Sequence, residues 1–512
     1  MSNSIKPPAA SRSERSAADT LPLAELEPEI SGNIANASKS IAIIGGGLAG
    51  MAAAAVACHR GLQVDLFEQS DHLGGRACSM EEPWNGQTID QCQHVAMGCC
   101  TNFLDFCRRT GVEDCFQRHK TLHFIGPDGS QSDIAAAAWL PAPLHLLPGL
   151  LRLKHVSWRE RCSIVRVIRK LVSLNESKEN YLKYFGTWLR SQGESETTIE
   201  RFWSVVIMGA LSETIDFVSL MAAKKVFLDG FCSSRNDYEL ITPLFPLGEI
   251  LDRHVSKWLE QQGVRIHRGT KIKNIFSGKH GLAMVPFGGP GRLYLAAIVA
   301  VTWYDLDGIC DLDGMLYTIK TRPWQKITKT LQPAAITAVH LWFDRPITTL
   351  PYATFAGRLS QWVFNETALM STIAQGNGGY DSQIQENMPT ASVGMAPDQK
   401  NKSYYYQVVI SAAHRMAKKD KMNVLQTVLN DLGEVFPHAK QAELLHWRIV
   451  TIPRAVFSML PGVDQLRLPQ KTAIPNLFLA GDWTATGWPG TMEGAVWSGY
   501  LAAEELLKYL GR

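Results

Sequence analysis

The feature that most restricts how this chain can fold is Gly45-Gly46-Gly47-Leu48-Ala49-Gly50. It follows a strand-length apolar run, Ser40-Ile41-Ala42-Ile43-Ile44, and opens an alanine-rich stretch (48–59) that reads as a helix stopped at Gly61. Gln63 to Glu68 alternates like a second strand. G-x-G-x-x-G alone is a weak pattern, but between a strand and a helix it specifies a βαβ unit with a right-handed crossover. Gly45 permits the tight turn, Gly47 lets backbone approach a pyrophosphate, and Gly50 lets the helix pack closely on the strand. The phosphates then sit at Leu48 and Ala49, where free N–H groups and the helix dipole favour negative charge.

The next residues select the dinucleotide. Glu68 lies 18 residues after Gly50, where a carboxylate accepts from both ribose hydroxyls and repels a 2′-phosphate. Gly74-Gly75-Arg76-Ala77 follows, two glycines that bring backbone N–H groups near a second anionic stretch, with a cation to match it. A ligand reaching past the first pyrophosphate contact is what FAD demands. At the other end of the chain, Asn476-Leu477-Phe478-Leu479-Ala480-Gly481-Asp482 ends a strand on an acid, and Gly490-Thr491-Met492-Glu493-Gly494-Ala495 opens the last helix with Thr491 as N-cap. That helix N-terminus would stabilise the charge a flavin ring edge gains on reduction.

With these motifs in place the chain resembles the FAD-dependent amine oxidase and carotenoid desaturase superfamily over residues 40–510. The resemblance implies an α/β fold, with a Rossmann-like FAD-binding domain assembled from discontinuous segments (39–120, 241–315, 446–512). A mixed-sheet and helical substrate domain would occupy 121–240 and 316–445. It implies that Asp482 and Gly481 hold the ribityl–pyrophosphate region, that Gly490, Thr491 and the Met492 N–H face the flavin, and that Ile272, in Thr270–Ile275, meets the adenine. Amine oxidases usually carry an aromatic at the position of Thr491, so amine oxidation is disfavoured. Four further segments resemble the hydroxysqualene dehydroxylase branch: Asp90–Gly98, Leu140–Leu147, His340–Pro346 and Gln361–Phe364. A carotene (phytoene-type) desaturase is the alternative, and a flavin-binding interaction protein the non-enzymatic one.

The branch implies loss of an allylic hydroxyl as water and quenching of the resulting cation by hydride from flavin, in a dry channel. His94, with Asp90 four residues earlier, is the expected proton donor, since a His can be tuned to give a proton near neutral pH. Trp342, Trp362 and Phe364 could steady the cation through their π-faces. No second dinucleotide motif occurs, so NAD(P)H in passing or a reductase is the expected external reductant.

Composition bounds the partners. Lys+Arg 51 against Asp+Glu 48 gives a net +3, too balanced to suggest nucleic acid. Ten cysteines without a secretory signal read as reduced thiols in a cytoplasmic protein, and six of them crowd into Cys78–Cys115 without a C-x-x-C pair, so no metal site is expected. Residues 1–38 read as a disordered tail. Trp139 to Leu151 is apolar but broken by three prolines, and Arg152 to Lys170 holds seven Lys/Arg and one acid. A wedge beside a basic stretch suits peripheral contact of 139–170 with anionic lipid, at the inner face of a membrane.

Overall fold

The computed structural model describes residues 40–278, 281–286, 292–309, 322–374, 403–415 and 420–512; the expected tail, 1–38, lies outside them. Five parallel strands form one sheet in the order Arg265–His267, Gln63–Phe67, Ser40–Ile44, Ala297–Val299, Leu477–Leu479. The fold is mixed α/β, and this sheet draws on three separated stretches of chain. Every residue of Ser40–Ile44 is buried, as a central parallel strand covered on both faces requires.

The first helix, Leu48–His59, is buried along ten residues because the last helix, Met492–Tyr509, lies against it. Alanines allow that close approach. A Cβ on Gly499 would stand 2.2 Å from the Ala49 carbonyl oxygen, so only glycine fits at the crossing.

A seven-stranded mixed sheet stands apart, in the order Leu444–Phe457, Pro333–Phe343, Tyr404–Ile410, Trp362–Asn365, Tyr352–Phe355, Thr121–Ile125, Gln131–Ala135. Its pairs are antiparallel except Tyr352–Phe355 with Thr121–Ile125. Strand alternation divides its side chains. Val408 and Ile410 pack under the helix Lys421–Val435, and Val409 turns to the opposite face. On that side stand helices including Trp158–Val172 and Ser204–Leu211. The strand Leu444–Phe457 is long because it pairs along the whole of Pro333–Phe343.

Trp158–Val172 starts at Ser157, whose hydroxyl accepts from the Glu160 N–H while the Glu160 carboxylate accepts from the Ser157 N–H. Its buried residues are Ile164, Val167 and Leu171. Val165 and Ile168 are only half-buried, because the inner face is centred nearer Val167.

Candidate active site

The C-terminal edge of the parallel sheet opens into a cavity of about 650 Å³ that continues under the seven-stranded sheet. Gly45, Gly47, Leu48, Ala49, Glu68, Gly74, Gly75 and Arg76 line it at the first βα turn. Ile272, His94, Gly481, Asp482, Gly490, Thr491 and Met492 line the rest of the polar half. The sequence scatters these residues over some 450 positions; the sheet order brings them together.

Gly45 has φ +108°, and a Cβ there would meet the Ala300 carbonyl oxygen at 2.5 Å. Gly50 does not border the cavity. A Cβ on it would lie 1.9 Å from the Gly45 carbonyl oxygen, so its task is to let the helix close onto the turn. Gly47 lies directly against the second glycine run: it pairs with Gly74 in a parallel bridge, and the Gly75 Cα would be in contact with an added Cβ at 3.9 Å. The two glycine runs thus lie side by side, the Gly74 N–H donating to the Gly46 carbonyl at 3.0 Å, and together present a cradle of bare backbone to the cavity, which suits a pyrophosphate.

Glu68 also builds the turn. Its Oε2 accepts the Gly46 N–H at 2.7 Å and its Oε1 the Ser70 N–H at 2.9 Å, and its carbonyl accepts the Thr270 N–H at 2.7 Å. That last bond holds the approach to Ile272 beside the ribose position. Arg76 is not a free cation: its Nη2 donates to Asp482 Oδ1 at 2.5 Å and its Nη1 to the Ala455 carbonyl at 2.9 Å. Behind Asp482 stands Arg467, which sequence reasoning missed. Its guanidinium is buried and donates to the Asp482 carbonyl at 2.7 Å and the Trp483 carbonyl at 3.3 Å. These contacts fix the loop before the last helix, where Thr491 Oγ1 accepts the Gly494 N–H at 3.1 Å. Val301, Thr302, Tyr304 and Asp305 also line the cavity. The end of the strand at Ala297 was the available signal for them, since ligands gather at such edges.

Beyond the flavin position the walls turn apolar: Val205, Val206, Phe231, Ile336 and Val409, with Trp362 and Phe364 stacked 5.8 Å apart. Trp342 is not among them. It is fully buried and stacks on Tyr405 at 4.7 Å, away from the cavity.

The expected His94–Asp90 donor pair does not form. The strand Thr88–Asp90 ends there and 91–95 is not helical, so a spacing of four does not put the two on one face. Asp90 stays outside the main cavity and accepts from Ser79 Oγ at 2.6 Å and the Leu247 N–H at 2.9 Å. His94 borders the cavity, but burial pushes it down to about 4, with the Cys92 backbone opposing and Arg76 adding to the shift. It is neutral at pH 7 and a poor acid in its own right.

Known proteins match this geometry and sequence. The flavin containing amine oxidoreductase family matches residues 48–507. A probable zeta-carotene desaturase of Synechococcus elongatus is 23% identical over 490 residues, covering 91% of this chain and 98% of its own. A 15-cis-phytoene desaturase of Capsicum annuum is 22% identical over 487 residues, covering 91% and 78%. Among solved structures, cyclohexylamine oxidase from Brevibacterium oxydans shares the fold, with a TM-score of 0.65 at 16% identity, 92% of this chain and 99% of that one. An oxidoreductase from Methanosarcina mazei gives 0.65 at 17%, covering 91% and 100%. Family, fold and glycine cradle agree: the chain belongs to the flavin containing amine oxidoreductases and is an FAD-dependent oxidoreductase.

Proposed function

We propose that the chain removes the allylic hydroxyl of hydroxysqualene to give squalene. When bound, the reduced flavin supplies the hydride. The chain's own residues keep water out with Val205, Val206, Phe231 and Val409, present the π-faces of Trp362 and Phe364 to positive charge, and place Gln93 and His94 where an oxygen can be met. The observation that carries this reading is that Gln93 and His94, with Ser212, Thr354 and Ser411, put hydrogen-bonding groups among the apolar side chains of the cavity wall. A departing hydroxyl needs such groups, whereas a hydrocarbon chain gains nothing from them. The segments quoted above for the dehydroxylase branch support it as well.

The curated relatives favour a second reading, since by name they are desaturases of zeta-carotene and phytoene. At 22–23% identity they fix the family rather than the substrate. The two readings run electrons in opposite directions, and anaerobic spectra separate them. Enzyme reduced with dithionite should regain its flavin absorbance when given hydroxysqualene, and oxidised enzyme should not bleach with phytoene or zeta-carotene. Bleaching by a carotene, with no recovery by hydroxysqualene, would establish the desaturase.

The electron donor on this reading is external, a nicotinamide or a reductase, and the substrate loads from a membrane. Among the described residues no helix is long and apolar enough to cross one. Trp139 is 77% exposed, Trp158 62% and Leu144 49%, an apolar fringe beside the basic helix face. Arg161 has a different task, donating to the carbonyls of Leu151 (2.7 Å), Leu153 (2.5 Å) and Val156 (2.9 Å) to close the loop. Replacing Arg159, Arg166, Arg169 and Lys170 by Gln, with Arg161 kept, should weaken binding to anionic liposomes in co-sedimentation on the order of 1000-fold, four charges at about 1 kcal/mol each. Unchanged binding would exclude this face.

A further inference from the structure

Behind the wall that carries Gln93 lies a second cavity of about 10 Å³, room for roughly one water. Its polar lining is Asp90, Gln93, Glu366, Tyr405 and Gln407. Of these five, Gln93 alone also borders the main cavity. Glu366 begins the helix Glu366–Ala374 directly after the strand Trp362–Asn365 and is 6% exposed. Its Oε1 and the Nε2 of Gln93 are both buried with no hydrogen-bond partner. A buried acid and a buried amide, each with an unused polar atom beside a water-sized void, describe a site built around a water.

The two carboxyls are treated differently. Asp90 accepts Ser79 Oγ and the Leu247 N–H, bonds that favour its charged form, although burial still lifts it to about 6. Burial, and then the charge of Asp90, lift Glu366 further, to about 8. At neutral pH the charge therefore sits on Asp90 and the proton on Glu366. The other titratable groups acting on the pair are Glu249, Cys78, Cys92 and Tyr405. Burial raises both thiols, Cys92 to about 12, and raises the Tyr405 phenol well above its ordinary range, so these three stay protonated. Tyr405 Oη bonds His340 Nδ1 at 2.8 Å and accepts Gln407 Nε2 at 3.2 Å. Gln407 Oε1 in turn accepts the Gln93 backbone N–H. That chain pins the backbone of Gln93 and leaves its side chain as the partition between the two cavities.

We propose that Glu366 is the proton reserve of the dehydroxylation, acting through one water held between it, Asp90 and the Gln93 amide. The inference rests on the reading given above. The O–H bond of Glu366 breaks and its proton passes to the water. The Gln93 side chain, which separates the two cavities, turns aside, and the water releases one of its own protons to the substrate hydroxyl. The C–O bond then breaks, its electron pair leaves on oxygen as water, and the allylic cation takes the hydride named above. Glu366 regains a proton from solvent after product leaves. Asp90 and Gln93 are positioning residues: one keeps the negative charge off Glu366, the other holds the water and, turning aside, opens its path.

The test uses flavin-loaded full-length enzyme. Infrared difference spectra across a pH titration should show a protonated-carboxyl band that disappears near pH 8, is absent in Glu366→Gln and persists, shifted, in Glu366→Asp. In single turnovers, reoxidation of prereduced wild type by hydroxysqualene should slow as pH rises through the same value. Glu366→Gln should be on the order of 100-fold slower and lose that pH dependence. Glu366→Asp should recover part of the rate, and both variants should retain flavin. A Glu366→Gln enzyme with wild-type rate and pH profile, or no carboxyl band assignable to Glu366, overturns the proposal. If wild type itself is not reoxidised by hydroxysqualene, the dehydroxylation reading falls and the donor role falls with it. That failure is told apart by the wild-type trace alone.

Discussion

Replacing Gly47 by alanine is expected to leave a folded protein that has lost its flavin. The backbone at Gly47 has φ −75° and ψ 177°, a conformation any residue adopts, and the added Cβ would meet nothing closer than the Gly75 Cα at 3.9 Å. The protein by itself has no objection to the methyl group. The ligand does, because the methyl stands on the bare backbone that lines the cavity where the pyrophosphate must lie. We expect FAD affinity to fall on the order of 100-fold, about 3 kcal/mol, with thermal unfolding of the flavin-free protein unchanged. Flavin retained in full through gel filtration would refute the cradle. Gly50→Ala is the contrasting case. Its Cβ would sit 1.9 Å from a backbone oxygen that no rotamer change can move, so the helix must leave the turn. Here stability itself should drop, at the upper end of about 1–3 kcal/mol or beyond.

That contrast marks what was legible in the chain. Spacing named the cofactor half because each glycine there answers a local demand of turn, approach or packing. Leu48, Ala49, Glu68, Gly74, Gly75 and Arg76 therefore line one cavity, while Gly50 packs behind it and Arg76 is engaged by Asp482. The substrate half depends on which side of a strand faces inward and which loops meet across the sheet, and local pattern does not encode that. His94 and Asp90 were paired because they lie four residues apart, but the segment between them is not a helix and the two border different cavities. Trp342 was set beside Trp362 and Phe364 as an aromatic, yet register turns it to the far side of the cavity wall. Glu366 was not singled out, although it follows an apolar strand directly. A lone Gln407 inside Tyr404–Ile410 was the corresponding signal: one amide in an otherwise apolar strand marks a buried polar partner.

Glu213→Ala should loosen the roof of the substrate cavity. Glu213 is fully buried, and its carboxylate accepts from Arg415 Nε at 3.0 Å and Nη2 at 3.2 Å, bonds His414 Nε2 at 3.1 Å and accepts from Ser458 Oγ. Burial opposes the charge, but the bonds from Arg415, Ser458 and the Thr214 N–H, with His414 beside them, outweigh it and hold the carboxyl below its ordinary 4.5. This cluster ties the end of the helix Ser204–Leu211 to the segments after two strands of the large sheet. It also spans two strained points, since Ser212 and Ala412 both have φ +53° in the left-handed region. Ser212 and Ser411 face the cavity, so strain relaxed here reaches the substrate walls. Removing the carboxylate leaves Arg415 without its partner. Because that side chain is 32% exposed, we take the low end for a broken buried pair, about 3 kcal/mol. Amides of Tyr404–Ile410 should then exchange hydrogen on the order of 100-fold faster at pH 7, with the parallel sheet unaffected. The folded value is depressed, so the contribution is complete above pH 4.5 and is lost as pH falls through that lower value. The gap between wild type and variant should therefore close on the acid side. Exchange that is equal at pH 7, or a gap that widens in acid, would show that the roof is held by packing and not by this carboxylate.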